Sequence, residues 1–456
     1  VRCMLAVGSC IRRRVGQSIL KGHRNPARPA LRLLLALTAS QAASGFLQTA
    51  FAHRALSSSP SISTTPSPGA RGASGGEACS TAMAVDGSRG LASFLKQSRV
   101  AAMDLLGGGS VPADKSLVLV MGNEACDADS VASALVLAYA ASQGRLPALS
   151  ADQHVLVTPV INIPRDDLSL RQDVVMMLRE AGVDSSDLVF FPELPESAVR
   201  GMLPTKALKL ILTDHNKLGV AQEWLAPAVI GVVDHHDDTG SYKDAALRVV
   251  DDTIGTCCAL VAREMVGGGG NEGLDLSALK SMYGDEVAVL LGAALVLDTR
   301  LFKGKCTDLD RALGKALGYL VEGGASEAAQ SYFSNLSEKR SDVRGLTSAQ
   351  KLRKDYKRWG EGAKGYGIAT IPCSLQDWIA DDPQWVSALA QYTAAEKLPL
   401  MLTMHTYTDP KGDFKRQLSV HSPDAALLEA CCNYISGPHH AAVLSATGDA
   451  SLHVEK

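Results

Sequence analysis

The sequence predicts an α/β protein, with a mainly parallel sheet covered by helices and a smaller α+β domain after it. Three observations predict this. Short Val- and Leu-rich runs recur, each of a length suited to a buried strand. Most are followed by a polar loop and a helical stretch, the repeating unit of a parallel sheet. The acidic and imidazole clusters fall where these runs end, and open α/β sheets bind ligands at the carboxyl ends of their strands.

The first strand is expected over Lys115–Met121. The loop Gly122–Asp129 follows, then a helix through Val131–Tyr139 that Ser130 can cap and that ends near Gly144. The unit repeats as a strand over Val155–Ile163 and a helix from about Ser169 to Ala181. Leu208–Thr213 runs into Asp214-His215-Asn216, and Ala228–Val233 runs into Asp234-His235-His236-Asp237. Gly255-Thr256 opens a helix through Cys257–Met265, and Asp285–Val296 is a strongly apolar helix that delivers Asp298. A polar helical segment over Ser334–Tyr356 carries the domain boundary, placed at 325–345. Beyond it, strands are expected over Tyr366–Ile371, Leu400–Tyr407 and Lys415–His421. Helices are expected over Pro383–Glu396 and Pro423–Asn433. The domains are thus a leader over 1–85, a first domain over 90–330 and a second over 345–450.

Composition bounds the partners. At 456 residues, two domains plus a tail is the natural division. The net charge of −3 supplies no field that recruits nucleic acid or a membrane surface. Ten cysteines are scattered without a CxxC pair, a pattern of buried thiols rather than a disulfide framework. No Asp or Glu precedes Glu77, while ten Arg and Lys residues do, and Ser57–Gly76 is rich in Ser, Pro and Gly. A basic, Ser-rich, acid-free leader is the pattern of a mitochondrial or plastid transit peptide, with a cytoplasmic protein bearing an untargeted extension as the alternative. The run Leu31–Leu37 is far shorter than the roughly 20 residues of a membrane span.

Four clusters carry the chemistry. Asp127 and Asp129, two apart on a loop before a helix, let one carboxylate face each of two cations. Asp214, at a neighbouring strand end, is placed to bridge them, and His235 with Asp298 completes the second. His236 then faces the substrate as a donor to a phosphoryl oxygen. Oxygen ligands with an imidazole suit Mn²⁺ or Mg²⁺, with Co²⁺ also compatible. Two such cations acidify a water and neutralise a phosphoryl group in transfer. Asp234 reads as an acceptor that orients His235, and Asp237 and Asp238 as solvated loop acids. Cys126 reads as a small residue beside the ligands, with a metal-proximal thiol as the alternative.

These residues resemble the DHH phosphoesterase superfamily. The resemblance rests on Asp234-His235-His236 with Asn123…Asp127-Ala128-Asp129-Ser130 and Asp214-His215-Asn216, and covers about residues 90–435. The second domain resembles the DHHA2 domain of the branch that contains family II inorganic pyrophosphatases, eukaryotic exopolyphosphatases and prune proteins. The resemblance implies Asp127, Asp129, Asp214, His235 and Asp298 as metal ligands, His236 as a substrate contact, and Asp214, His236 and Asn123 as the catalytic set. The pyrophosphatases have His where this chain has Asn123, which is similar to the exopolyphosphatase pattern, as is Pro159–Arg165. Asn123 is then a weaker oxygen ligand or a spectator.

One departure matters. The Ser-Arg-Lys motif that grips phosphate in these enzymes has no counterpart in Ala450–Lys456. Arg416, Lys303 and Lys305 are the alternative phosphate contacts. The implied activity is release of terminal phosphate from inorganic polyphosphate. The alternatives are hydrolysis of pyrophosphate or short polyphosphates, and a prune-like interaction protein with weak or no catalysis.

Overall fold

The computed structural model describes residues 2–8, 90–108, 115–146, 155–267, 276–360, 365–435 and 452–455. The first domain is built on six parallel strands. Across the sheet they run Val189–Phe190, Val155–Ile161, Ser116–Met121, Leu208–Thr213, Val229–Asp234, Leu247–Val250. Chain order reverses between Ser116–Met121 and Leu208–Thr213, and such a reversal opens a crevice at the strand ends where ligands bind. The loops carrying Asn123 and Asp214 leave from these two strands.

Ser116–Met121 is buried along its whole length. Because side chains alternate between faces, Val118 and Val120 join one core layer and Leu117, Leu119 and Met121 the other. The first layer holds the helices Ala128–Ser142, Cys257–Met265 and Leu279–Asp298. The helix Leu91–Gly107, which the sequence pattern had not singled out, contributes Leu91, Phe94 and Leu95 to this layer, and Ala102 and Leu106 to the other.

Several elements differ from expectation for identifiable reasons. Asp127, not Ser130, caps the helix Ala128–Ser142: its extended backbone lets Oδ1 accept the Ser130 N–H at 3.0 Å. The Ser130 hydroxyl instead accepts the Asn123 N–H at 2.7 Å. Gly122 makes room for this, since a Cβ there would stand 2.2 Å from Ser130 Oγ. The helix expected over 169–181 divides into a 3₁₀ turn Arg165–Leu170 and an α-helix Gln172–Glu180. The apolar helix starts earlier, as Leu279–Asp298, with a break at Gly284, whose φ is +86°. The polar segment expected over 334–356 is two helices. Glu327–Ser341 packs Ala329, Tyr332 and Leu336 into the first domain, and Ser348–Lys354 packs Leu352 into the second. A capping box at Thr347 and Gln350 starts the second of these.

The second domain's sheet runs Tyr356–Trp359, Tyr366–Ile371, Met401–Thr408, Phe414–His421, with only the middle pair parallel. Helices Leu375–Asp381, Trp385–Ala395 and Ala425–Ile435 cover it. The backbone of Arg2–Gly8 lies antiparallel to Phe414–His421, and the rest of the basic leader is outside the described residues. Among the described residues no helix is long and apolar enough to cross a membrane, and Cys126, Cys257, Cys258, Cys306 and Cys373 are free thiols.

His405 sits fully buried in this domain, its ring 5.4 Å from that of Trp378. Its nitrogens meet the Cys373 carbonyl at 3.2 Å and the Thr403 hydroxyl at 3.0 Å. Burial, outweighing the Cys373 contact, lowers its pKa from 6.5 to about 4. A group held neutral in this way contributes stability above its unfolded pKa that is lost as pH falls. Stability should therefore drop by about 3 kcal/mol between pH 6.5 and about 4. Urea unfolding followed across that range should show the drop, and His405→Gln should flatten it.

Candidate metal centre

The carboxylates and imidazoles meet in the crevice where the strand order reverses. Asp129 lies in the first turn of Ala128–Ser142 and is buried. Its Oδ2 accepts the Cys257 N–H at 2.6 Å and its Oδ1 the Cys258 N–H at 2.9 Å. It thereby satisfies the open N-terminal amides of the helix Cys257–Met265, where a negative charge is favoured. Thr256, the residue in the capping position of that helix, makes no side-chain cap.

Asp214 stands at the end of Leu208–Thr213 with φ +60°, and its N–H donates to the Val233 carbonyl at 2.9 Å. His235 presents Nε2 at 3.2 Å from Asp214 Oδ1 and 3.5 Å from Asp129 Oδ2. Its Nδ1 faces the Ile254 carbonyl at 3.3 Å, so an Nδ1–H donated there turns the Nε2 lone pair toward the carboxylates. Asp298, from the C-terminus of Leu279–Asp298, joins Asp129 and His235 within a ligand-sized group. Asp214, His235 and His236 form the adjoining group, so His235 belongs to both. Asp127 lies outside the two groups while its charge acts on Asp214 and Asp298.

Two residues take positions other than those expected. Asp234 orients His236, not His235: its Oδ1 meets His236 Nδ1 at 2.8 Å and accepts the His236 N–H at 3.2 Å. That commits Nδ1 and leaves Nε2 of a side chain that is 45% exposed. Asn123 turns its oxygen inward, accepting the Ala125 and Cys126 N–H groups at 2.9 and 3.1 Å. Its amide nitrogen donates to Asp214 Oδ2 at 2.7 Å. Asn123 is thus a positioning donor to Asp214 across the crevice rather than an oxygen ligand. Burial pushes the Cys126 thiol up to about 12, which keeps it neutral and inert.

Asn216 braces the whole loop. It donates to Asp234 Oδ2 at 2.5 Å and to the Asp237 carbonyl, and accepts from Thr239 through both N–H and hydroxyl. Asp238 pairs with Arg248 at 2.6 Å on the surface. Lys305 reaches the His235 carbonyl at 3.4 Å. Lys303 instead lines a cavity of about 340 Å³ with Arg311, Gly323 and Gln330, which contains none of the ligand-bearing residues.

The electrostatics suit a cation. Burial, then Asp127 and Asp129, hold Asp214 well above the ordinary carboxylate range, and burial, then Asp129 and Asp127, do the same for Asp298. His235 and His236 are raised despite burial, by Asp129 and by Asp234 respectively before other acids. Asp214 Oδ1 is buried without a hydrogen-bond partner among the described residues. Packed carboxylates, an orphaned oxygen and an imidazole lone pair are a donor set that fits a divalent cation.

Two cations escaped the sequence reading. Arg340, on Glu327–Ser341, lies 4.0 Å from Asp173 and acts on both Asp127 and Asp298. Lys357, on Tyr356–Trp359, acts on Asp127 from the second domain. Burial opposes ionisation of Asp127, but Arg340, the Ser130 N–H and Lys357 together hold it below the ordinary range. In sequence both lie in runs of mixed charge (Glu338-Lys339-Arg340 and Lys354-Asp355-Tyr356-Lys357-Arg358) that read as solvated surface, and only the fold brings them to the crevice.

Residues 117–291 match the DHH family, N-terminal domain, and residues 334–450 match the DHHA2 domain. The chain thus carries a DHH-family N-terminal domain followed by a DHHA2 domain. It is 28% identical over 336 residues to the human protein Exopolyphosphatase PRUNE1, covering 71% of this chain and 67% of that one. The chain thus spans about two thirds of the length of its PRUNE1 relatives. It is 26% identical over 255 residues to the Manganese-dependent inorganic pyrophosphatase of Methanocaldococcus jannaschii, covering 55% and 70%. Among solved structures it is similar to an exopolyphosphatase-related protein from Bacteroides fragilis. The TM-score is 0.35 at 14% identity, covering 68% of this chain and 80% of that one.

The raised carboxylates set the sign of a pH effect. Groups held above their unfolded pKa favour the cation-free fold at low pH and lose that contribution as pH rises through their folded values. A bound cation displaces the protons and removes the loss. Mn²⁺ should therefore raise the unfolding temperature more at about pH 8 than at about pH 5, with proton release on binding. Asp214→Asn should abolish most of both effects, read by scanning calorimetry and by titration calorimetry in buffers of different ionisation enthalpy.

Proposed function

We propose that this chain is a divalent-cation-dependent phosphoanhydride hydrolase that releases terminal phosphate from inorganic polyphosphate. The observation that carries the reading is the convergence of Asp129, Asp214, His235 and Asp298 at the sheet's switch point, with Asp127 beside them and cations facing them. The relatives named exopolyphosphatase and inorganic pyrophosphatase support the same reaction class.

Asp127, Asp129, Asp214, His235 and Asp298 are the residues that would hold two cations, Mg²⁺ or Mn²⁺. Such a pair supplies an acidified water and charge neutralisation at phosphorus. The chain's own groups do the rest. Asn123 fixes the Asp214 carboxylate by donating to Oδ2. Asp234 fixes the His236 ring and favours its protonated form, so that Nε2–H can donate to a phosphoryl oxygen. Arg340 and Lys357 add positive charge on the side of Asp127, where the attacked phosphoryl group gathers negative charge. Water adds to the terminal phosphorus as the bond to the bridging oxygen breaks, and the shortened chain leaves as the anion. The amide of Asn123 at the position of a pyrophosphatase His is the feature that favours polyphosphate over pyrophosphate.

Phosphate release should be measured from long-chain polyphosphate and from pyrophosphate at equal phosphate, with Mg²⁺ and with Mn²⁺. Fast release from polyphosphate, abolished by Asp214→Ala, is the expected result. His236→Ala and Asp234→Asn should each lower kcat by roughly 100-fold or more, in line with loss of a positioned donor, with Asp234→Asn also shifting the pH profile. Faster release from pyrophosphate would move the assignment to that substrate. No release from either, with Mn²⁺ bound, would sink the enzyme reading and leave an interaction protein.

A further inference from the structure

Four described arginines carry a buried side-chain nitrogen without a hydrogen-bond partner: Arg99, Arg171, Arg248 and Arg416. Arg416, an expected phosphate contact, lies in the second domain with its guanidinium carbon 5.1 Å from the centre of the Phe414 ring. Arg171 is the one that touches the cation-site loop. It is 8% exposed, and its Nε donates to the Ala125 carbonyl at 2.7 Å. A buried cation set against a neutral carbonyl is a costly way to fill space, so the contact calls for a reason beyond packing.

The carbonyl it holds belongs to the peptide unit that aims the loop. The N–H of the same unit, on Cys126, donates to Asn123 Oδ1 at 3.1 Å. The Ala125–Cys126 peptide plane is therefore clamped from both edges. Cys126 has φ +53°, in the left-handed region that a residue with a side chain occupies only where its surroundings hold it there. Asp127 comes next in the chain, and Asn123 itself donates to Asp214 Oδ2 at 2.7 Å. A turn of this one peptide would disturb a carboxylate on each side of the crevice.

Arg171 in turn is set by the segment on which the second domain docks. Its N–H donates to the Leu168 carbonyl at 2.9 Å, closing the 3₁₀ turn Arg165–Leu170. Lys354 donates to the Leu170 carbonyl, next to Arg171, and Arg353 pairs with Asp167 at 2.9 Å. Both come from the helix Ser348–Lys354. We propose that Arg171 is the positioning residue of the cation-site loop, and that it carries the docking of this helix to Asp127 and Asp214. The proposal rests on the cation-site reading and deepens it. Coupling of this kind is reciprocal: a docked helix favours the cation, and a bound cation favours docking.

The test is the Mn²⁺ affinity of the full chain by electron paramagnetic resonance, beside hydrogen exchange over residues 122–130 in EDTA, read by mass spectrometry. Arg171→Met should weaken Mn²⁺ roughly 10- to 100-fold, the range for losing a partner that orients a ligand. It should also speed exchange in the loop without speeding it in the strand Ser116–Met121. Arg171→Lys, which restores a donor, should recover part of both. Asn123→Ala and Arg171→Met together should weaken Mn²⁺ by less than the product of the two factors, because both residues clamp one peptide. Lys354→Met should weaken Mn²⁺ roughly 2- to 10-fold in the wild type and not in Arg171→Met. Unchanged Mn²⁺ affinity and exchange in Arg171→Met would overturn the proposal, as would a Lys354→Met effect undiminished by the loss of Arg171. Where Arg171→Met does not fold, Lys354→Met decides: loop exchange as slow as in the wild type overturns the proposal, and faster exchange upholds it. No Mn²⁺ binding by the wild type would overturn the cation reading and leave the exchange result to decide on Arg171.

Discussion

The site depends on one carboxylate that joins the starts of two helices. Asp129 sits in the first turn of Ala128–Ser142 and accepts the first two amides of Cys257–Met265. Both helices point their positive ends at the same oxygens. This fixes the separation of the 122–130 loop from the segment after Leu247–Val250, and so fixes where His235 and Asp298 meet it. Acids crowded in a crevice repel, and this concentration of them at Asp127, Asp129, Asp214, Asp234 and Asp298 is tolerable because each is tied to a different scaffold group. Asp127 has the Ser130 amide, Asp214 has Asn123, Asp234 has Asn216 and His236, and Asp298 is fixed by the helix Leu279–Asp298.

The second domain is joined to this site through polar contacts rather than a shared apolar core. Lys354 donates to the Leu170 carbonyl, Arg353 pairs with Asp167 at 2.9 Å, and Arg340 lies between Asp173 and the metal-site acids. Burial lowers Lys354 to about 8, a sign that its ammonium is held at real cost in a sparsely hydrated joint. A half-exposed pair such as Arg353–Asp167 contributes little and can be remade, which would suit the domain movement of the proposed reaction.

Much of this was legible in the sequence, because each acidic cluster ended an apolar run and parallel sheets put such ends in one crevice. The unread part has a common cause. Capping by Asp127 rather than Ser130, the turn of Asn123 toward Asp214, and the service of Asp234 to His236 are choices among neighbouring hydrogen-bond partners, decided by backbone angles that composition does not encode. Arg340 and Lys357 were invisible for another reason: a cation in a charged run looks solvated until a distant segment folds against it. The helix Leu91–Gly107 carried no motif, so only its packing reveals it.

The wide sequence spacing of the ligands bears on how the protein matures. Residues 127, 129, 214, 235 and 298 come together only when three strand-end loops and the long helix Leu279–Asp298 are already docked. Closing loops of that length is slow and entropically costly. A cation therefore has no site to nucleate early, and cannot template the chain as it does in small zinc domains. On the proposed function it would enter last, as a lock on a completed fold.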